Sequence, residues 1–271
     1  MRELSPRRRL SALQSRISHY AKTNGIVVAR AYTRLAHALV CAAFTRAQRE
    51  GAIPFYFVKG GAAMELRLGL AARATKDLDI GVASDPDKLL ETLNTVLSSG
   101  YGPYTYRVKD ARTLPNGTQR CEIAIDYAGL TLVTTEVDLA PSSHHVATDA
   151  IVTREFVEFD IEAIDIPCLS LPEQIAQKVH ACTEPVTPPR KNLRHRDITD
   201  VLALEQQGFV DYRKTREYCE ITFAQRATHS WPIVSFDFPA EWRTEIQTEP
   251  FSSVADVEQA FEAFLERIAT G

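Results

Sequence analysis

Apolar residues recur at helical spacing in the first quarter of the chain and switch to a spacing of two in its middle. Leu10, Leu13, Ile17 and Tyr20 fall on one helical face within residues 7–22, and Gly25 is a stop. An Ala- and Leu-rich stretch from about residue 26 to 49 predicts a longer helix, ended by Gly51 and suited to packing on a sheet. The run Phe55-Tyr56-Phe57-Val58 predicts a buried strand, because aromatic and β-branched side chains suit a covered, pleated surface. Gly60 and Gly61 permit a tight turn against which a ligand can lie. A short helix follows, with Met64 and Leu68 on one side and its end near Gly69. Asp77-Leu78-Asp79-Ile80 then predicts a second strand, whose period of two puts both aspartates on one face and both apolar residues on the other.

Ser84-Asp85-Pro86 has the pattern of an N-cap followed by proline in the first turn. It opens a helix carrying Leu89, Leu90, Leu93 and Leu97 and closed by Gly100. From residue 100 to 141 the pattern is that of strands, with residues 121–127 and 130–139 flanking Ala128-Gly129 as a hairpin. In the second strand of that hairpin, Leu132, Thr134, Glu136 and Asp138 share one face; Val133, Thr135, Val137 and Leu139 share the other. The apolar set is expected under a helix layer, with Glu136 and Asp138 towards a cleft. Residues 154–161 form another strand-like run, followed by a linker ending at Ile166-Pro167. Beyond it the pattern is helical. Ser170-Leu171-Pro172-Glu173 has capping-box spacing, and the helix over residues 174–182 puts Leu171, Ile175, Val179 and Cys182 on one stripe. A helix beginning near Asp197 and stopped by Gly208, and another over residues 253–268, follow. The pattern predicts an α+β chain with lobes at residues 1–168 and 169–271, the second mainly helical.

Composition narrows the class. The chain has 271 residues, 45% hydrophobic and 24% charged, which is ordinary for a globular protein that buries a substantial core. No uninterrupted apolar run is long enough to cross a bilayer. The first nine residues lack the apolar segment that secretion requires, so a cytoplasmic location is expected. Cys41, Cys121, Cys168, Cys182 and Cys219 are scattered singly, unlike zinc ligands, and are expected to be reduced and buried. The formal net charge of −4 argues against coating nucleic acid through global attraction. Basic residues are instead concentrated locally. Arg7-Arg8-Arg9 suits a solvated helix start, and Arg190, Lys191, Arg194 and Arg196 form a basic segment that suits either a solvated loop or a grip on RNA phosphates. His144-His145 lacks partner ligands at metal spacing and suits a surface loop.

Three features carry chemistry. Asp77 and Asp79 on one strand face repel each other unless a cation lies between them, and Mg²⁺ prefers a few carboxylates together with substrate phosphates. Lys178 falls inside the apolar stripe of its helix; it either lays its stem on that face and reaches water or meets a fixed anion. Asp197 lies where a first-turn acid is favoured by the helix dipole.

A strand, a Gly-Gly turn, a short helix and an Asp-x-Asp strand resemble the nucleotidyltransferase core of the DNA polymerase β-like enzymes. More narrowly, four motifs between residues 59 and 200 resemble those of the AbiEii/AbiGii (MenT-like) nucleotidyltransferase toxins. They are Lys59-Gly60-Gly61, Arg73-Ala74-Thr75-Lys76-Asp77-Leu78-Asp79, Ala176-Gln177-Lys178-Val179-His180-Ala181 and Arg196-Asp197-Ile198-Thr199-Asp200. Gly61 stands where the wider superfamily often has Ser, and the gap to Asp77 is longer than in many members. The resemblance implies a two-lobed nucleotidyltransferase fold, a mixed β-sheet flanked by helices plus a helical C-terminal lobe.

It also implies an activity of the EC 2.7.7 class: Mg²⁺-dependent transfer of a nucleoside monophosphate from a triphosphate to a hydroxyl. Asp77, Asp79 and a third acid would hold the metal; Asp138 is the choice for the third, with Glu136 and Asp126 in reserve. Gly60 and Gly61 would offer backbone N–H groups to the phosphates. Lys178, with Arg73 or Lys59, would neutralise the leaving pyrophosphate, and Thr75 would bond a phosphate or shape the metal site. Asp197 would orient Lys178 or the acceptor. The implied acceptor is the 3′ end of tRNA, the donor a pyrimidine triphosphate and the outcome blocked translation, opposed by an antitoxin partner, with no membrane involved. Nucleotidylation of a small molecule or a protein hydroxyl, and a non-catalytic RNA- or protein-binding module, are the competing expectations.

Overall fold

The computed structural model describes residues 5–142, 146–186, 190–234, 236–246 and 251–271. His144 and His145, and the prolines at 188 and 189, lie outside the described residues. The chain divides into two compact units, Met1–Leu169 and Ser170–Gly271.

The first unit begins with α1 (Pro6–Thr23) and the Ala-rich α2 (Val28–Arg49), followed by β1 (Tyr56–Lys59), α3 (Gly60–Leu68) and β2 (Asp77–Val82). A single 3₁₀ turn at Pro86–Lys88 leads into α4 (Leu89–Ser98), and Asp85 precedes it without a side-chain cap. Then come β3 (Tyr104–Thr113), β4 (Gln119–Tyr127), β5 (Leu130–Pro141), β6 (Thr148–Thr153) and β7 (Ile164–Leu169). The strands form one mixed sheet in the order β3-β4-β5-β2-β1-β7-β6. β2 runs parallel to β5 and antiparallel to β1, which is parallel to β7.

One sheet face carries the core. Leu78 and Ile80 of β2, Val137 and Leu139 of β5 and Cys121 and Ile123 of β4 are fully buried, in one cluster with Leu35, Leu39 and Phe44 of α2 and Leu89 and Leu93 of α4. Burying each large aliphatic or aromatic side chain contributes roughly 1.5–3 kcal/mol relative to exposure. That one-sided gain fixes the register, because a slip of one residue would turn the aspartates of β2 inward.

Two expectations fail near the end of this unit. Residues 154–161 are not a strand but an irregular connection with a 3₁₀ turn at Val157–Phe159. Phe156, Phe159 and Ile161 are buried in the core, the two rings beside Tyr20, at spacings of three and two that no single strand face provides, and Asp160 adopts φ +63°, which breaks extension. The expected linker ending at Ile166-Pro167 is instead β7, an interior strand between β1 and β6. Its ladder with β1 is a single pairing, Val58 with Cys168, so Pro167, which has no N–H, is tolerated there.

The second unit comprises α5 (Leu171–Thr183), α6 (His195–Gln206), α7 (Tyr212–Arg226), the short α8 (Trp242–Glu245) and α9 (Val254–Thr270). α5 packs on α6 and α7, and α9 packs on the same two helices. Trp242, Phe236, Phe238, Phe261 and Phe264 form its aromatic core. Ser170 is the N-cap residue of α5, but its hydroxyl is buried without a hydrogen-bond partner among the described residues, so the capping box is not made. Ser253 does cap α9, accepting from the Asp256 N–H.

Candidate active site

In the first unit the acidic positions are assembled by strand register. Asp77 pairs with Glu136 and Asp79 with Asp138 across the parallel β2–β5 ladder. Asp138 pairs in turn with Arg120, and Glu136 with Glu122, across β4–β5; Lys59 pairs with Asp79 across β1–β2. Paired residues share a face, so Lys59, Asp77, Asp79, Glu136, Asp138 and Arg120 all lie on the face opposite the core.

The Gly-Gly segment is pressed against this face. Gly60 adopts φ +64°, and a Cβ there would lie 2.1 Å from Asp79 Oδ2. A Cβ on Gly61 would lie 2.6 Å from Thr75 Oγ1, with Arg73 Nη2 at 3.6 Å. Only glycine fits at both positions, and α3 starts directly at Gly60. Thr75 and Arg73 are therefore gathered at the N-terminus of α3, while Asp79 lines it.

Two arginines of α2 fix the approach to β2. Arg30 donates from Nη2 to the Ala72 carbonyl at 2.6 Å and from Nε to Glu65 at 2.9 Å. Arg34 bridges Glu65 at 3.1 Å and Glu155 at 2.5 Å, with a longer bond to the Gly69 carbonyl. The buried charges, Arg34 and Glu65, are paired, as burial requires, and the two arginines pin the turn that delivers Arg73, Thr75 and Asp77. Neither arginine was among the sequence candidates.

Nor was Arg120. Its Nε donates to Asp138 Oδ1 at 2.7 Å and its Nη2 to Oδ2 at 2.6 Å, while Nη1 lies 3.2 Å from Glu136. The bond to Asp138 holds the Arg120 guanidinium well above the ordinary arginine range. Asp126, the other reserve acid, sits beside the hairpin turn. Arg107 takes it at 2.7 and 3.0 Å and Thr131 at 2.7 Å, and the Arg107 bond holds its carboxyl below the usual range.

The donors around β2 suit Mg²⁺. Asp77 and Asp79 are hard oxygen donors on one strand face, beside a turn stripped of Cβ atoms where a phosphate can approach. Mg²⁺ is commonly held by one or two carboxylates plus substrate phosphates and water. Among the described residues no group of three or more His, Cys, Asp or Glu side chains is disposed to hold an ion, and both oxygens of Asp138 are engaged by Arg120.

In the second unit, Lys178 meets fixed anions. Its Nζ lies 2.7 Å from Asp197 Oδ1 and 2.7 Å from Asp200 Oδ2, and all three side chains are buried. Burial pushes the Lys178 ammonium down, but the two carboxylates outweigh it and hold its pKa above the ordinary value. Asp197 lies in the first turn of α6 and holds Lys178 rather than capping the helix with its side chain.

The basic segment ahead of it is anchored by Asn192, another residue the sequence did not single out. The Asn192 amide donates to the carbonyls of Ala181, Cys182 and Glu184 at the end of α5. Its Oδ1 accepts from the Arg194 N–H, and its own carbonyl accepts from Trp242 Nε1. Around this anchor Arg190, Lys191, Arg194 and Arg196 are exposed.

Comparison with known proteins assigns the class. Among solved structures, the chain is similar to MenT4, a nucleotidyltransferase toxin from Mycobacterium tuberculosis H37Rv, with a TM-score of 0.59 and 14% identity over 94% of this chain and 89% of that one. A putative nucleotidyltransferase from H. pylori matches 88% of this chain and 92% of its own, with a TM-score of 0.42 and 13% identity. No curated protein matches significantly. The fold is that of the nucleotidyltransferases. The family described as nucleotidyl transferase AbiEii toxin, type IV toxin–antitoxin system, matches residues 43–270, and the chain belongs to it. Among the described residues no single helix is long and apolar enough to cross a membrane.

Proposed function

We propose that this toxin transfers a nucleoside monophosphate from a pyrimidine triphosphate to the 3′ end of tRNA, in the cytoplasm, and so blocks translation until an antitoxin partner opposes it. What supports this most is the Cβ-free turn at Gly60 set against the Asp79 carboxylate, since it suits a triphosphate lying along the backbone beside an Asp-x-Asp pair. Asp77 and Asp79 would hold Mg²⁺, which when bound polarises phosphate oxygens and lowers the pKa of the acceptor hydroxyl. The first N–H groups of α3 and the dipole of that helix would orient the phosphates. Arg73 and Lys59, which share this region of the first unit, would counter phosphate charge, and Thr75 would bond a phosphate oxygen. Lys178 has two carboxylates to hold it and three N–H donors; the third donor would serve the charge building on pyrophosphate. Arg190, Lys191, Arg194 and Arg196 would grip RNA phosphates.

The test incubates the full chain with each of the four α-labelled nucleoside triphosphates and total tRNA. Label should enter tRNA from CTP or UTP, require Mg²⁺ and vanish in Asp77→Ala. Label that survives this substitution, or that appears only in a small molecule or protein on thin-layer and gel separation, overturns the proposal.

A further inference from the structure

We infer that Arg120 occupies the second cation position of the acidic face, so that the face takes one divalent ion on Asp77 and Asp79, and Asp138 serves by holding Arg120 instead of ligating metal. The inference rests on the nucleotidyl-transfer proposal and assigns roles within the same site.

Three observations carry it. First, the register puts four carboxylates on two adjacent strands in a square: Asp77 beside Glu136 and Asp79 beside Asp138. Such a square calls for more than one cation. Second, the half contributed by β5 already holds one. Arg120 engages both oxygens of Asp138 in a bidentate fork at 2.7 and 2.6 Å and lies 3.2 Å from Glu136. Planar, charge-assisted pairs of this kind are the strong ones. A metal ligated by Asp138 would have to displace the fork and leave a guanidinium among acids without its partner. Third, Arg120 belongs to the sheet itself. It is the cross-strand neighbour of Asp138 on β4, with its side chain 28% exposed and that of Asp138 12% exposed. A fixed guanidinium there performs the charge neutralisation that a second ion supplies in a two-metal site, and it leaves N–H groups for a phosphate oxygen.

Arg120 is thus a positioning and charge-neutralising residue. The test counts ions on the full chain with Mn²⁺ alone as probe, by electron paramagnetic resonance at millimolar metal, with circular dichroism to establish that each variant is folded. One ion per chain is expected in the wild-type protein, and none in Asp77→Asn. Asp138→Asn should keep one, with the dissociation constant changed less than about threefold. Arg120→Gln, which frees Asp138 and Glu136, should bind two, and Arg120→Lys, which restores the charge, should return the count to one. Two ions in the wild type, loss of the ion in Asp138→Asn, or a single ion in Arg120→Gln overturns the inference and leaves the nucleotidyl-transfer proposal standing. Unchanged binding in Asp77→Asn would sink both.

Discussion

Gly60 is where backbone conformation and chemistry meet in one residue. Its φ of +64° is strained for any residue with a side chain, and a Cβ would collide with the Asp79 carboxylate. Gly51 provides the control: its φ is +75°, but nothing lies within 4 Å of a Cβ built there. Gly60→Ala and Gly51→Ala should both cost about 1 kcal/mol or more of stability through the backbone term. Only Gly60→Ala also displaces Asp79. Misplacing a reacting group by about 1 Å costs on the order of 10²-fold in rate, so Gly60→Ala should lose at least that much transfer activity while Gly51→Ala keeps its activity. Thermal melts paired with the tRNA labelling assay check this; equal activity in the two variants would detach the Gly-Gly turn from the chemistry. The aspartate pair was legible in the sequence because a period of two is enough to place Asp77 and Asp79 on one face. Arg30 and Arg34 were not, since their work is done by reaching carbonyls about 40 residues further along the chain.

The β4–β5 hairpin shows how one extra residue redirects a site. Its turn, Ala128-Gly129, joins Tyr127 to Leu130, and an unbroken ladder from there would set Arg120 opposite Val137. The register shifts between Ile125 and Asp126, where β5 carries Leu132 as an extra residue, and Arg120 then falls opposite Asp138. Hydrophobic alternation identified the hairpin and its turn but not the bulge, and without the bulge the Arg120–Asp138 pair could not be foreseen. Residues 154–161 mislead differently: Val157, Phe159 and Ile161 alternate, but Val157 is exposed while Phe156 is buried with Phe159 and Ile161, so the run plugs a core through a turn rather than pairing as a strand. The turn also supports a stability prediction. Ala128 has φ +52° and Gly129 φ +77°, a two-residue loop with both central residues left-handed, where Asn-Gly is strongly preferred. Ala128→Asn should raise stability by about 0.5–1 kcal/mol, seen as a higher melting temperature. Activity should not change, because Leu130 precedes Asp138 by eight residues, roughly 25 Å of extended strand. A lowered melting temperature would show that the side chain of Ala128 matters in the fold beyond its backbone.

At the scale of the whole molecule, each unit carries a buried histidine that makes it sensitive to acid, and the two can be observed separately. His37 of α2 is buried in the first unit, its Nε2 without a hydrogen-bond partner among the described residues. Burial pushes its pKa down to about 4, against a small opposing bond with the Lys76 backbone. In the second unit His180 is pushed down to about 4, by burial first and then by Arg226 and His229. For both groups the folded pKa lies below the unfolded one. As pH falls from about 6.5 the unfolded chain takes up the protons first, so stability is full above that value and is lost progressively down to about pH 4. For His37 the loss between pH 7 and 5 should be on the order of 2 kcal/mol. Hydrogen exchange on peptides of α2, corrected for the intrinsic pH dependence of exchange, isolates it, and His37→Gln should abolish most of the pH effect there. Both tryptophans, Trp231 and Trp242, lie in the second unit, so tryptophan emission during urea unfolding reports that unit separately. Its acid sensitivity should survive His37→Gln and weaken in a variant of His180. If His37→Gln leaves the pH dependence of α2 exchange intact, the proton is being taken up elsewhere, and the buried imidazole would have to be protonated already in the folded chain.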